Sequence, residues 1–311
     1  MRGAASVSTI NLQGGHRRAG ALVFGEGTWI ARDGSRLVYK FWRDVRAPKR
    51  ATILLVHGLN GAVDDLEPMV EALAPAGYEF FACGLRGQGA DPNRPRRGDL
   101  RDWRRLRDDL IDFRRYVRHE AADDRPVFAF GESMGALVTL QAAPDADLAG
   151  AILSSPVVKF RQDTPVPWWQ EALAKMLFRC APWYRLDLQA LARKDVPAPV
   201  ITRDQVYLER IRNAPCRIPR FTVGFYRELI RLVLATPGGA SRLRLPVLVL
   251  AAGQDVFVRA EDVASFFDTL PAPDKTLRIY PSSYHLLVRD FEAAQVIRDV
   301  HAWLDERTSA A

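Results

Sequence analysis

The stretch Val127-Phe128-Ala129-Phe130-Gly131-Glu132-Ser133-Met134-Gly135-Ala136-Leu137-Val138-Thr139-Leu140 decides how this chain is read. Four apolar residues in a row form a short strand buried on both faces. The G-x-S-x-G that follows forces a sharp strand-to-helix turn, in which the serine takes strained backbone angles and presents its hydroxyl at the sheet edge. The flanking glycines are needed because strand and helix approach closely there. The residues from Ala136 to Leu140 then continue as helix. A plainer reading, a helix-capping serine in a glycine turn, stays open on these residues alone.

Working outward, the same alternation recurs. Ile53–Val56 and Glu79–Cys83 read as buried strands, Ala151–Leu153, Val247–Leu250 and Thr276–Tyr280 as further strands, and residues 64–76 as a helix. Asp99 is placed to cap a helix whose apolar positions Trp103, Leu106, Leu110, Phe113 and Val117 fall on one face. A further amphipathic helix, Phe291 to Leu304, closes the pattern. Asp33-Gly34 between two β-prone runs reads as a hairpin. Continuous apolar strands separated by helices imply an α/β fold with a mostly parallel sheet covered on both faces.

Residues 157–240 break the rhythm with three helical patterns and no strand, so they read as a helical cap inserted into a core of residues 25–156 and 241–311. Their aromatic rings are expected to pack the cap onto the core. Pro165, Pro167, Trp168 and Trp169 are the alternative, an edge for a lipid surface. Residues 1–24, rich in Gly, Ala, Ser and Arg, are expected to be a flexible tail.

In such a sheet ligands bind beyond the carboxyl ends of the strands. A serine hydroxyl there needs a base. Of five histidines, His16 lies in the tail, His119 ends a helix, His301 lies inside the last helix and His57 opens a loop as a structural residue. His285, on a short loop after the last strand, is the base by position. The base needs an acid to fix its tautomer. Asp255, just past the strand from Val247, fits. Glu261 and Asp262 sit in the next helix, and Asp163 lies deep in the cap. The order Ser133, Asp255, His285 is that of the α/β-hydrolase triad. Two backbone N–H groups are expected to stabilise an oxyanion, those of Met134 and of Leu59 in His57-Gly58-Leu59-Asn60-Gly61.

With these residues in view, the chain resembles the serine α/β-hydrolases of the monoacylglycerol lipase and lysophospholipase type. The likeness is carried by His57-Gly58, Arg86-Gly87-Gln88-Gly89, Gly131–Gly135, Gly253-Gln254-Asp255 with Val258, and Tyr284-His285-Leu286-Leu287, and it spans about residues 25–305. It implies an α/β-hydrolase fold with an eight-stranded sheet and a helical cap between strands six and seven. It also implies hydrolysis of fatty acyl monoesters of glycerol or lysophospholipids, with no cofactor and no metal. Three positions depart from the pattern. Gly84 stands where the family usually has Asp, Gln88 where it has His, and Leu286 where Glu usually follows the base. A peptidase or acyltransferase using the same triad is the alternative, and a non-catalytic binding protein a remoter one.

Composition narrows the partners. The 311 residues are 48% hydrophobic and 26% charged, which excludes a disordered or fibrous chain. The net charge of +7 comes almost wholly from Arg, since only six of the 44 basic residues are Lys. The Arg residues alternate with Asp, as in Arg101-Asp102 and Arg107-Asp108. That is the pattern of an ion-paired surface, and no nucleic-acid motif accompanies it. From Arg86 to Arg118 eleven Arg face six Asp, a local excess suited to anionic lipid. A small acyl ester substrate and peripheral contact with a lipid surface are therefore the expected partners, with no obligate protein partner. Three cysteines and no apolar leader point to a reducing, cytoplasmic location.

Overall fold

The computed structural model describes residues 17–89, 91–121, 124–162, 167–187 and 200–308. Its sheet is built from β1 (Arg17–Ala19), β2 (Leu22–Ile30), β3 (Arg36–Asp44), β4 (Ala51–Val56), β5 (Tyr78–Cys83), β6 (Val127–Glu132), β7 (Gly150–Ser154), β8 (Val247–Ala252) and β9 (Lys275–Tyr280). Their order across the sheet is β1-β2-β3-β5-β4-β6-β7-β8-β9. From β5 to β9 every neighbour is parallel, while β1, β2 and β3 add on antiparallel. Eight long strands thus form the expected mixed, mostly parallel sheet, with the three-residue β1 at its edge.

The central strands are buried along their whole length, which is why they lack polar alternation. The helices α1 (Glu67–Leu73), α2 (Arg104–Ala121), α3 (Met134–Ala142), α8 (Ala260–Asp268) and α9 (Ala293–Thr308) cover the sheet. On one face Met69, Val70 and Leu73 of α1 share a core with Val296, Val300, Trp303 and Leu304 of α9. On the other, Leu106, Leu110, Phe113 and Val117 of α2 pack with Leu137 and Val138 of α3. Each such fully buried side chain stabilises the fold by about 1.5–3 kcal/mol.

Two expectations change here. The tail does not extend to residue 24, because β2 starts at Leu22 and pairs with β3 from Leu22↔Asp44 to Ile30↔Arg36. Its backbone ladder and buried Val23 and Trp29 hold it, although its glycines hide the strand pattern. Residues 1–16 lie outside the described residues. Asp99 does not cap α2. Its carboxylate accepts from the Thr222 hydroxyl at 2.8 Å, and Asp102 Oδ1 accepts the Arg104 N–H at 3.0 Å where α2 begins.

Between β7 and β8 the described chain holds α4 (Trp168–Cys180), α5 (Gln205–Arg212), α6 (Val223–Leu234) and α7 (Thr236–Ala240). It also holds a two-residue antiparallel pair, Arg185–Leu186 with Phe221–Thr222, that the sequence pattern did not reveal. The rings divide. Phe221 and Phe225 join the core of α2 and α3. Trp168, Trp169, Trp183 and Tyr184 do not, and α4 buries no residue at all, with Trp168 80% exposed. The expectation that all these rings seat the cap fails for α4, whose apolar residues Trp168, Trp169, Leu173 and Met176 stay in solvent. Pro165 and Asp163 lie outside the described residues.

The turn after β5 is fixed by charge. Arg86 makes a two-pronged contact with Asp109 of α2, at 2.6 and 2.5 Å, and reaches Asp33 of the hairpin at 2.9 Å. Burial pushes the Asp109 carboxyl up to about 6 despite Arg86, which opposes the shift. This ion cluster ties hairpin, turn and helix together.

Candidate active site

Ser133 occupies the junction of β6 and α3 with φ 57° and ψ −118°. That is a glycine-like region, costing a non-glycine residue about 1–3 kcal/mol. The surroundings enforce it. The Ser133 N–H donates to Ser154 O of β7 at 2.8 Å. A side chain at Gly131 would collide with the Gly135 carbonyl and Thr139, and one at Gly135 with the Val56 carbonyl of β4. Both motif glycines are therefore spacers that let α3 sit against β4 and β6.

Asp255 and His285 sit beyond the ends of β8 and β9. Asp255 Oδ1 accepts the N–H groups of Phe257 and Val258, at 2.8 and 3.3 Å. Its Oδ2 lies 2.7 Å from His285 Nδ1, and both side chains are buried. Nδ1 therefore carries a proton and donates it, leaving Nε2 as the acceptor. The Phe257 ring meets the imidazole edge-on at 4.8 Å and limits its rotation. His285 Nε2 is buried without a hydrogen-bond partner. Contact between Nε2 and the Ser133 hydroxyl is thus not closed in the free protein, and such bonds commonly tighten only with substrate.

The two expected oxyanion donors also have free N–H groups among the described residues. Met134 is the first residue of α3, where the backbone N–H has no helical acceptor. Leu59 lies on the loop after β4, which passes the serine so closely that a side chain on Gly58 would stand 3.2 Å from Ser133 Cβ. The remaining candidates fall elsewhere. His57 Nε2 accepts the Leu85 N–H at 3.2 Å and its Nδ1 meets Gly58 O at 2.9 Å, so both ring nitrogens are used by backbone. Burial lowers its pKa, which keeps it neutral. Glu261 and Asp262 lie in the first turn of α8, where Asp262 Oδ1 accepts from Lys159 Nζ at 2.8 Å. No cluster of three or more His, Cys, Asp or Glu able to hold a metal occurs among the described residues.

The environments of three residues near the site are not visible in the sequence. Arg289, four positions past His285, donates to Asp65 O at 2.7 Å and lies over the Tyr207 ring of α5. The Leu286 N–H donates to Ile201 O at 2.9 Å, so the His285 loop is bound through backbone to the segment between β7 and β8. Glu132, beside Ser133, is buried. Burial first, and Asp65 next, push its carboxyl up to about 8, against an opposing pull from Arg289. In the sequence Gln88 reads only as a substituted residue of the turn after β5. Its Oε1 accepts the Asn60 N–H of the Leu59 loop at 2.7 Å.

The Hydrolase_4 family (serine aminopeptidase, S33) matches residues 47–292, a span that contains every residue of this site. The chain belongs to that family. It is 25% identical over 260 residues to phospholipase YtpA of Bacillus subtilis, covering 82% of this chain and 95% of the relative. It is 27% identical over 278 residues to a monoacylglycerol lipase of Mycolicibacterium smegmatis, covering 87% and 93%. A thermostable carboxyl esterase from Bacillus coagulans, solved with glycerol, shares the fold with a TM-score of 0.76 at 18% identity, over 92% of this chain and 99% of that one. The chain is a serine hydrolase of the lipase and esterase type.

Proposed function

We propose that this hydrolase cleaves fatty acyl monoesters, a monoacylglycerol or a lysophospholipid, through Ser133, His285 and Asp255. The observation that carries the proposal is the buried Asp255–His285 pair at the strand ends that also hold the strained Ser133. In this mechanism Ser133 Oγ attacks the ester carbonyl while His285 Nε2 takes its proton. Asp255 holds the imidazole in the required tautomer and stabilises the imidazolium. The Leu59 and Met134 N–H groups stabilise the tetrahedral oxyanion. His285 then protonates the leaving alcohol, and water activated by the same nitrogen releases the acid from Ser133.

The lipid part of the reading is supported by the names of the two relatives and by the apolar surface of α4. Its Trp168, Trp169, Leu173 and Met176 are exposed where a lipid aggregate would meet the cap. No described helix is long and apolar enough to cross a membrane. The proposed lipid contact is peripheral, and the proposed location is the cytoplasm. A peptidase reading draws on the family's aminopeptidase description.

Labelling with a fluorophosphonate, followed by turnover of esters of graded acyl length and of aminoacyl arylamides, tests these readings with Ser133→Ala as control. Labelling of wild type alone and a long-chain ester optimum are expected. Equal labelling of the alanine variant overturns the triad, a short-chain optimum overturns the lipid reading, and preferred arylamide turnover favours the peptidase.

A further inference from the structure

The Leu59 N–H can serve an oxyanion only if the Gly58–Leu59 peptide is held in one orientation. The peptide is planar and trans, so its N–H points opposite to its C=O. The Gly58 carbonyl is held from two sides. His57 Nε2 accepts from Leu85, which leaves the proton on Nδ1, and Nδ1 donates to Gly58 O at 2.9 Å. The Gly61 N–H closes a turn on the same oxygen at 3.2 Å. That turn runs through Asn60, which adopts φ 58° without being glycine. Such a conformation persists only where its surroundings over-determine it.

The surroundings are two side chains. Gln88 is buried in the turn after β5, and its Oε1 accepts the Asn60 N–H at 2.7 Å. The Asn60 amide then clasps the backbone of Ile218 in the cap. Its Nδ2 donates to Ile218 O at 3.1 Å and its Oδ1 accepts the Ile218 N–H at 3.0 Å. Ile218 is itself buried in the core shared with α2 and α3. The turn beside Leu59 is therefore pinned to the sheet side by Gln88 and to the cap by its own Asn60.

We propose that Gln88 and Asn60 are positioning residues for the oxyanion hole, and that the Asn60–Ile218 clasp makes the acylation step depend on where the cap sits. This rests on the acyl-transfer reading of Ser133. The consequence is a division between binding and chemistry. Loss of either contact leaves the Michaelis complex intact but lets the Leu59 N–H drift from the developing negative charge.

The test uses Gln88→Leu, which removes the acceptor, and Asn60→Gly, which keeps the positive φ and removes the clasp. Active sites are first counted with a fluorophosphonate, so that misfolded protein does not enter the rates. Turnover of a soluble short-chain ester per labelled site, and affinity for an alkyl boronic acid that forms a tetrahedral adduct, are then measured. We expect kcat per labelled site to fall about tenfold or more, with KM within about twofold, since complete loss of an oxyanion donor costs about 10²–10³. Boronate affinity falls in parallel, and Gln88→Glu, which keeps an acceptor oxygen, recovers part of both. A merely structural role would lower the melting temperature and the number of labelled sites but leave kcat per site unchanged. Unchanged kcat per site and boronate affinity in both variants overturn the proposal while the triad stands. A wild type that takes no label overturns the acyl-transfer reading itself.

Discussion

His285 Nδ1 and Asp255 Oδ2 lie 2.7 Å apart, in a setting where both side chains are buried and the second carboxylate oxygen is already occupied by the Phe257 and Val258 N–H groups. The carboxylate therefore has one orientation and the imidazole one tautomer. Asp255→Asn keeps the shape but offers an N–H toward Nδ1, which favours the tautomer with its proton on Nε2, unable to accept from Ser133. We expect kcat to fall by about 10⁴-fold with little change in KM. His285→Ala is expected to lose acylation by several orders of magnitude. Single-turnover acylation measures both, and a loss under about tenfold for Asp255→Asn would remove that residue from the role.

The strain at Ser133 gives a prediction about stability. The residue holds φ 57° and ψ −118° between a strand and a helix that leave it no room to relax. Glycine adopts this region freely, although it adds entropy to the unfolded chain. Ser133→Gly is expected to be more stable than Ser133→Ala by about 1 kcal/mol, the strain released less the entropy cost. Urea unfolding of the two inactive variants decides it. Equal midpoints would mean that the turn carries no strain.

Glu132 supplies the pH dependence. Its carboxyl ordinarily titrates near 4.5 and is raised to about 8 by burial, with Asp65 adding to the effect and Arg289 opposing it. Between those values the folded chain keeps a proton that the unfolded chain has released. Stability must therefore fall as pH rises through this window and level off above it. Asp109, raised to about 6, acts with the same sign over the lower half of the window. Asp33, held well below the usual carboxylate range chiefly by its bond to Arg86, titrates beneath it. Melting temperatures at pH 5, 7 and 8.5 should decline in the wild type and decline less in Glu132→Gln. Parallel slopes would show that Glu132 does not hold its proton.

How much of this was legible before the structure follows from the range of each interaction. The buried strands stand out as short apolar runs bounded by turn residues, a pattern that buried helix segments share and that length and flanking residues arbitrate. Ser133 and Asp255 stand out as candidates because each follows such a run, and His285 because it follows the mixed edge strand Lys275–Tyr280, a parallel sheet gathering its strand ends at one edge. The Asn60–Ile218 clasp was not. It joins residues 158 positions apart, and neither carries a local signal of the other. Gln88 reads as a substituted turn residue until its Oε1 is seen on Asn60. The exposure of α4 was misjudged for a different reason. Aromatic content alone does not say whether a helix face meets protein or solvent.

That exposed face carries the last prediction. In α4, Trp168 and Trp169 are 80% and 54% exposed, and Met176 adds to the same apolar surface. Aromatic residues at a lipid interface add apolar burial without giving up their polar edge to hydrocarbon. The Arg excess between Arg86 and Arg118 would add an electrostatic pull of about 1 kcal/mol per basic residue near an anionic surface. Several of these Arg are already paired, as Arg86 with Asp109 and Arg96 with Asp91, so the net effect must come from the remainder. Trp168→Ser with Trp169→Ser is expected to weaken binding to lipid vesicles and to slow turnover of a vesicle-borne monoester. Turnover of a soluble short-chain ester should stay within about twofold, since neither ring packs on the core. Wild-type binding should rise with the anionic fraction of the vesicle and fall with salt. Vesicle binding that the double variant leaves unchanged would mean that α4 does not face lipid. Binding indifferent to anionic content would confine the Arg excess to its ion-paired surface.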